Sequence, residues 1–343
     1  MAYTTIKKST DYFNTKLWTG TGSSNALTGV GFQPDWTWIK NRTDANSHVL
    51  QDVVRGVGNT IISNNTDAES AEGAGDLTAF GSDGFTVGTN GRVNGSGKSI
   101  VAWNWLGANG TASNTDGSIT STVSANTTSG FSIVSYSGSN SNSTVGHGLG
   151  VAPRVIIIKR LNVADNWRVL HMSAGNDNTA HLNLTSAFSS SAVFQNTSPT
   201  STVFSLVGNN TSVNQSGSTY IAYCFADVQG YSKFGSYTGN GSTDGTFVYT
   251  GFKPAFILVK QTNSTASWTI LDNKRDSFNV TEKRLFPDDA SAEVVSANGN
   301  TDFLSNGVKM RIGHANINAS GSTYIYMAFA EEPLVGDNPC TAR

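Results

Sequence analysis

Five histidines, two cysteines and two pairs of adjacent carboxylates give this 343-residue chain its most obvious chemical reach. His48, His147, His171, His181 and His314 form no His-Glu-x-x-His run and no Cys/His pair at metal-ligand spacing, so they spell no metal site. Cys224 lies in an apolar strand-like run, where a buried free thiol is expected, and with Cys340 it makes no disulfide framework. Asp288-Asp289 and Glu331-Glu332 are sequence neighbours, which point to opposite faces of a strand. Glycoside hydrolysis instead needs two carboxylates facing each other across a cleft. NGSGKS (94–99) ends like a phosphate-binding loop. That loop needs a glycine where Arg92 stands and a helix where the strand-like SIVAWNW follows, so a turn entering a strand is expected. GNGSTDG (239–245) offers oxygens to calcium without the spacing of a known calcium loop, and it too reads as a turn. No catalytic residue, cofactor or metal is expected.

The strongest signal is repetition. VNGSGKSIVAWNWLGA (93–108), VNQSGSTYIAYCFADV (213–228) and INASGSTYIYMAFAEE (317–332) share one layout. Gly97, Gly217 and Gly321 follow Asn94, Asn214 and Asn318 by three residues, and Trp105, Phe225 and Phe329 follow the same Asn by 11. Upstream, GFQPDWTWIK, GLGVAPRVIIIK and GFKPAFILVK each place a Lys six residues after a Pro, at Lys40, Lys159 and Lys260. Eight residues on stand His48, Trp167 and Trp268; twelve on, Asp52, His171 and Asp272. The Pro-to-Asn distances are 60, 61 and 64 residues, so the interior of the unit is held while the periods vary, 119 then 101. The Ser/Thr/Asn/Gly-rich stretch 109–130 reads as a loop and domain boundary.

The elements that carry these landmarks are strands. Only 13% of residues are charged, and Gly, Ser, Thr and Asn, all poor in helix interiors, take their place. Apolar runs are short and bounded by turn residues; VIIIK and FILVK are continuous, which suits strands buried on both faces. Trp36, Trp38, Trp105, Phe225 and Phe329 are expected in the core, because the repeat replaces Trp36 and Trp38 by aliphatics. DAESAEGAGDL (67–77) is the one helix-like candidate, and His171 reads as a surface or domain-edge position. The expectation is an all-β chain of three tandem antiparallel β-sandwiches, jelly-roll or lectin-like, over 1–110, 111–230 and 231–343. Residues 1–15 are expected to serve as a docking arm. A net charge of −2 without a basic stripe argues against nucleic-acid binding. No run of about 18 apolar residues implies a membrane span, and the start of the sequence has no apolar segment of a secretory signal.

MAYTTIKKSTDYFNTKLWTGTGSSNALTGVGFQPDWTWIKNR resembles the start of structural proteins from marine tailed bacteriophages. VVRGVG, FGSDGFTVG, TVGHGLGVAPRVIIIK, GYSKFGSYTGNGSTDGTFVYTGFKPA and GSTYIYMAFAEEP extend the resemblance over essentially the whole chain. HVLQDVVRG departs from it, lacking the Trp of WTILDNKRD. The resemblance implies lectin-like sandwiches in a virion protein made in the host cytoplasm, with other virion proteins as partners. It implies a tail fibre or receptor-binding adhesin that contacts a host surface glycan or outer-membrane protein. The alternatives are a capsid decoration or head-fibre protein and, behind it, a tail polysaccharide depolymerase. A homotrimer or a pseudo-symmetric monomer both fit. Binding is expected on the loops 43–48, 161–166 and 262–267, through Asp44, Asn46, His48, Asp165, Asn166, Trp167, Asn263, Ser267 and Trp268.

Overall fold

The repeated landmarks become the strands of three similar sheets. A computed structural model describes residues 4–335, and nearly every element in it is an antiparallel strand. In the first unit Phe13–Thr19 pairs with Ser99–Trp105, which pairs with Trp36–Asn41, which pairs with Val49–Asp52. The second unit repeats the order with Phe131–Ser137, Thr219–Phe225, Val155–Arg160 and Arg168–His171. The third does so with Ser232–Thr238, Thr323–Pro333, Phe252–Gln261 and Thr269–Asp272. Even the register is kept: the row Phe13, Trp105, Trp36, Asp52 corresponds to Phe131, Phe225, Val155, His171 and to Ser232, Phe329, Phe256, Asp272.

Each sheet is covered on its outer face by a smaller one. These are Asn25–Leu27, Gly84–Val87 and Leu77–Gly81; Ser143–Gly146 and Val203–Leu206; and Phe247–Tyr249, Gly307–Met310 and Thr301–Leu304. Between the layers each unit has its own apolar core, with Ile39 and Val87, Ile156 and Phe204, or Ile257 and Phe303 at its centre. The repeated Asn staples the layers. Asn94 Oδ1 accepts from the Thr21 N–H while Nδ2 donates to the carbonyls of Ser23 and Gly88. Asn214 and Asn318 hold the Ser139 and Asn240 turns in the same way. Gly97, Gly217 and Gly321 then turn the chain into the central strand at φ of 72°, 76° and 71°, a region that favours glycine.

The inner faces of all three sheets meet in one further core. Trp105, Phe225 and Phe329, the aromatics that follow the repeated Asn, converge there with ring centroids 6.4, 5.5 and 5.9 Å apart. Trp36 stacks on Tyr223 at 4.3 Å across the first and second units, and Phe13 on Phe329 at 5.2 Å across the first and third. The central strands are therefore buried on both faces, which is why VIIIK and FILVK do not alternate. The accessible surface, 11412 Å², decides how to view the units. One compact chain of this mass exposes roughly 13,000 Å², and three separate thirds about 18,000 Å² in total. The units form one body around a shared core rather than three beads.

Three local expectations are corrected. The stretch 109–130 is not only linker: Ala112–Asn114 and Ser121–Asn126 add two strands beside Phe131–Ser137, because the β-branched Thr122 and Val123 favour extension along an open edge. Residues 67–77 form no helix; Ser70–Ala71 pairs with Asn59–Thr60, and Gly73 at φ 52° turns the chain. Within the stretch 1–15, residues 1–3 lie outside the described ones, while Ile6, Ser9 and Phe13 are buried in the body, so the described part is no free arm. Cys340 also lies outside the described residues, and Cys224 is buried as a free thiol.

A shared core makes a single unit incomplete. Residues 111–230 expressed alone are expected to show no cooperative thermal unfolding and poor amide dispersion by NMR, whereas the full chain unfolds cooperatively.

Candidate functional site

Buried lysines, arginines and carboxylates gather at the three seams between units. Lys40, Lys159 and Lys260 end the central apolar runs and are fully buried. Each ammonium is held by backbone carbonyls of its own loop and of one neighbouring unit. Lys40 Nζ donates to Asn41 at 2.8 Å and to Ala290 of the third unit at 3.1 Å. Lys159 Nζ donates to Arg160 at 2.8 Å, Asp165 at 3.1 Å and Thr66 of the first unit at 3.2 Å. Lys260 Nζ donates to Ala266 and, at 2.7 Å, to Thr185 of the second unit. Burial pushes all three amines down to about 8.

Just past each of those neighbouring carbonyls, the strap that carries it makes a backbone bond to the lysine loop. The Glu69 N–H donates to Leu161, the Phe188 N–H to Thr262 and the Glu293 N–H to Arg42, at 2.7, 3.0 and 2.9 Å. The first unit's strap thus docks on the second, the second's on the third and the third's on the first, and the ring closes within one chain. Eight residues past each Lys, the Trp167 indole donates to the Ile62 carbonyl and that of Trp268 to His181, at 2.8 and 3.0 Å. His48 takes this place in the first unit. Its Nδ1 accepts from Trp38 at 2.9 Å, and burial keeps it neutral, well below the usual imidazole range. The nearby Phe286 carbonyl favours a proton on the ring, although Nε2 reaches no acceptor at hydrogen-bond distance.

Twelve residues past the Lys, the seams differ. Arg55 Nε pairs with Asp52 at 2.6 Å and its Nη1 with Glu69 at 2.9 Å; Arg275 pairs with Asp272 and Glu293 at 2.5 and 2.9 Å. Both Arg side chains are buried, and Tyr223 and the Trp103 indole donate to Asp52 and Asp272 from the adjacent units. Arg42 adds a fork onto Glu293. In the second unit His171 replaces Asp. Of the two readings, surface or domain edge, the structure overturns the first and fits the second: His171 is buried at the edge of its unit, where Nδ1 accepts from the Ser173 N–H and Nε2 donates to the Tyr326 carbonyl of the third unit, at 3.2 and 3.1 Å. Burial holds this imidazole down at about 4.

The nine expected binding residues are mostly seam residues. His48, Trp167 and Trp268 are buried and cannot touch a partner, because the loops that carry them are covered by the neighbouring strap. Asp44 pairs with Lys98 at 2.9 Å, and half-buried Asn46 donates its N–H to the Asp44 carbonyl. Asp165 accepts from Ser212 and Asn166 from Asn183. Ser267 is half-buried beside Asp288, which itself accepts from the Trp268 N–H. Asn263 is exposed and lines a cavity of about 620 Å³ between the second and third units. Among the described residues no group of three His, Cys, Asp or Glu is placed to hold a metal, and no helix is long and apolar enough to cross a membrane. The repeated lysines are the seam feature that sequence reasoning missed; their recurrence at the end of three apolar runs was the available signal.

Fold and seams together define a class: an all-β protein in which three sheets close around one core and recurrent polar residues lock the joints. Residues 8–333 match the family described as Domain of unknown function (DUF7483), and the chain belongs to it. No curated protein and no solved structure matches the chain.

Removing the buried Lys159 ammonium leaves three carbonyls at the seam short of a donor. Lys159→Met is expected to cost about 2–4 kcal/mol, read from urea midpoints, where a surface lysine would cost under about 0.5. His171 has its own signature. Its folded value, about 4, lies below an unfolded value of about 6.5, so unfolding takes up a proton and stability present above pH 6.5 is lost as pH falls toward 4. The loss is about 2 kcal/mol at pH 5. Asp288, pushed up to about 6 by burial, works in the opposite direction over the same range. Urea titrations at pH 7 and 5 should therefore show a smaller difference for His171→Gln than for the wild type.

Proposed function

We propose that the protein is a non-enzymatic structural protein of a tailed-bacteriophage virion, acting at the particle surface as a tail-fibre or receptor-binding component. The observation that carries the reading is where the polar groups are used. Lys40, Lys159, Lys260, Asp52 and Asp272 each bond across or along a seam, so the residues that recur are those that hold the ring. What varies between units is loops and seam surface on a rigid scaffold, the arrangement that recognition proteins use. The whole-chain resemblance to phage structural proteins supports the same reading, and display in many copies on a particle would turn weak contacts into avidity. A second reading, a capsid decoration or head-fibre protein, is favoured by the compactness of the body. The turn Ser9–Asp11 packs against the last strand, Thr323–Pro333, and nothing among the described residues is drawn out as a shaft.

Antibody labelling of virions viewed by electron microscopy tests both. Label on the tail, with purified protein slowing adsorption of the phage to its host, is the expected result. Label over the head shell supports decoration, and an unlabelled virion removes both readings.

A further inference from the structure

The three seams differ most in one set of charged positions. Asp52, Arg55 and Glu69 form a chain of ion pairs at the first seam, and Asp272, Arg275 and Glu293 form the same chain at the third. At the second seam these places are held by His171, Ala174 and Phe188. Ala174 and Phe188 leave no guanidinium to fill the joint and no carboxylate to receive it. The cavity of about 620 Å³ opens there.

Its walls come from both units. Ala174, Asn178 and Phe188 line it from the second, and Tyr237, Thr262 and Asn263 from the third. Thr238 and Thr323 add exposed hydroxyls, and the lining holds no Asp, Glu, Lys, Arg or His. The aromatic wall is fixed in place. The Phe188 N–H is bonded to the Thr262 carbonyl at 3.0 Å, and its half-buried ring packs 6.4 Å from that of Trp268. Tyr237 is stacked on Tyr324 at 5.0 Å and tied by its hydroxyl to the Ile317 carbonyl.

We propose that this seam binds a short neutral oligosaccharide. The volume is that of a small-ligand site, but small-ligand sites are mostly apolar, and this one is lined by hydroxyls and amides beside the half-buried Phe188 ring. A sugar matches both parts: its C–H face lies on an aromatic ring, and its hydroxyls exchange hydrogen bonds with Ser, Thr and Asn groups that both donate and accept. Without a cation in the lining, an acidic glycan would leave its charge unpaired on binding. The site rests on the attachment reading only for the source of its ligand, the host surface.

The test is isothermal titration of the full chain with a panel of neutral oligosaccharides built from glucose, galactose, mannose and N-acetylhexosamines, with sialylated and uronic-acid glycans as controls. A neutral member is expected to bind and the acidic ones not. Phe188→Ala should weaken that binding at least tenfold while the variant still unfolds cooperatively, above the temperature of the titration. The triple variant His171→Asp, Ala174→Arg, Phe188→Glu rewrites the second seam in the pattern of the other two and should abolish binding; if it does not fold, Asn263→Ala together with Phe188→Ala carries the test. Failure of every neutral glycan to bind, or equal binding by the wild type and these variants, overturns the proposal. The two readings separate in an adsorption assay. A binding sugar that does not compete with phage adsorption removes the attachment role and leaves the site. Adsorption blocked equally by wild type and Phe188→Ala removes the site and leaves the attachment role.

Discussion

Trp105, Phe225 and Phe329 touch one another, and that meeting constrains nearly everything else in the molecule. For one ring from each unit to reach a common centre, each sheet must present the same strand at the same height. The register rows that pass through these rings are accordingly conserved among the three units, and so is the spacing from the repeated Asn. Sheets that must bury both faces need a second layer outside and partners inside. The small outer sheets supply the first and the sister units the second.

The polar seams add direction to this apolar contact. Rings alone pack without much preference for rotation or height, because dispersion and hydrophobic burial are weakly directional. A lysine ammonium that must find a carbonyl of the next strap is satisfied in one arrangement only. Using carbonyls rather than carboxylates as the cross-seam partners avoids leaving a second buried charge when a strap moves away. His48 shows how far the pattern can bend: an imidazole replaces the indole of Trp167 and Trp268, and it accepts from the Trp38 indole of its own unit where those indoles donate to a carbonyl of the neighbouring one.

Much of this frame was legible in the residues. The Asn and Gly of the turn, the buried Trp and Phe positions and the all-β class follow from strand patterning and turn chemistry, which act over a few residues. What was not legible depends on packing between units. Lys40, Lys159 and Lys260 stood out as landmarks, yet a lysine is rarely buried, and nothing local says that a strap more than twenty residues past another unit's lysine will cover it. The loops 43–48, 161–166 and 262–267 were read as open for the same reason, since loops usually face water. The stretch 109–130 was misread because Ser and Thr serve an edge strand as readily as a linker. The cavity at the second seam had a signal in the replacement of Arg55 and Arg275 by Ala174, but only the seam gives that substitution meaning.

The ring has a consequence for synthesis. Lys40 and its carbonyl partner Ala290 are separated by 250 residues. As the chain leaves the ribosome, the first unit's lysine loop and the inner face of its sheet stay uncovered until the third unit has emerged. Vectorial, unit-by-unit maturation, the usual route for tandem arrays, is closed to a chain built this way. The nascent protein would carry exposed aromatic surface for most of its translation. Contacts of such long range place it among slowly folding topologies, where shielding by chaperones decides how much of the product reaches the native state.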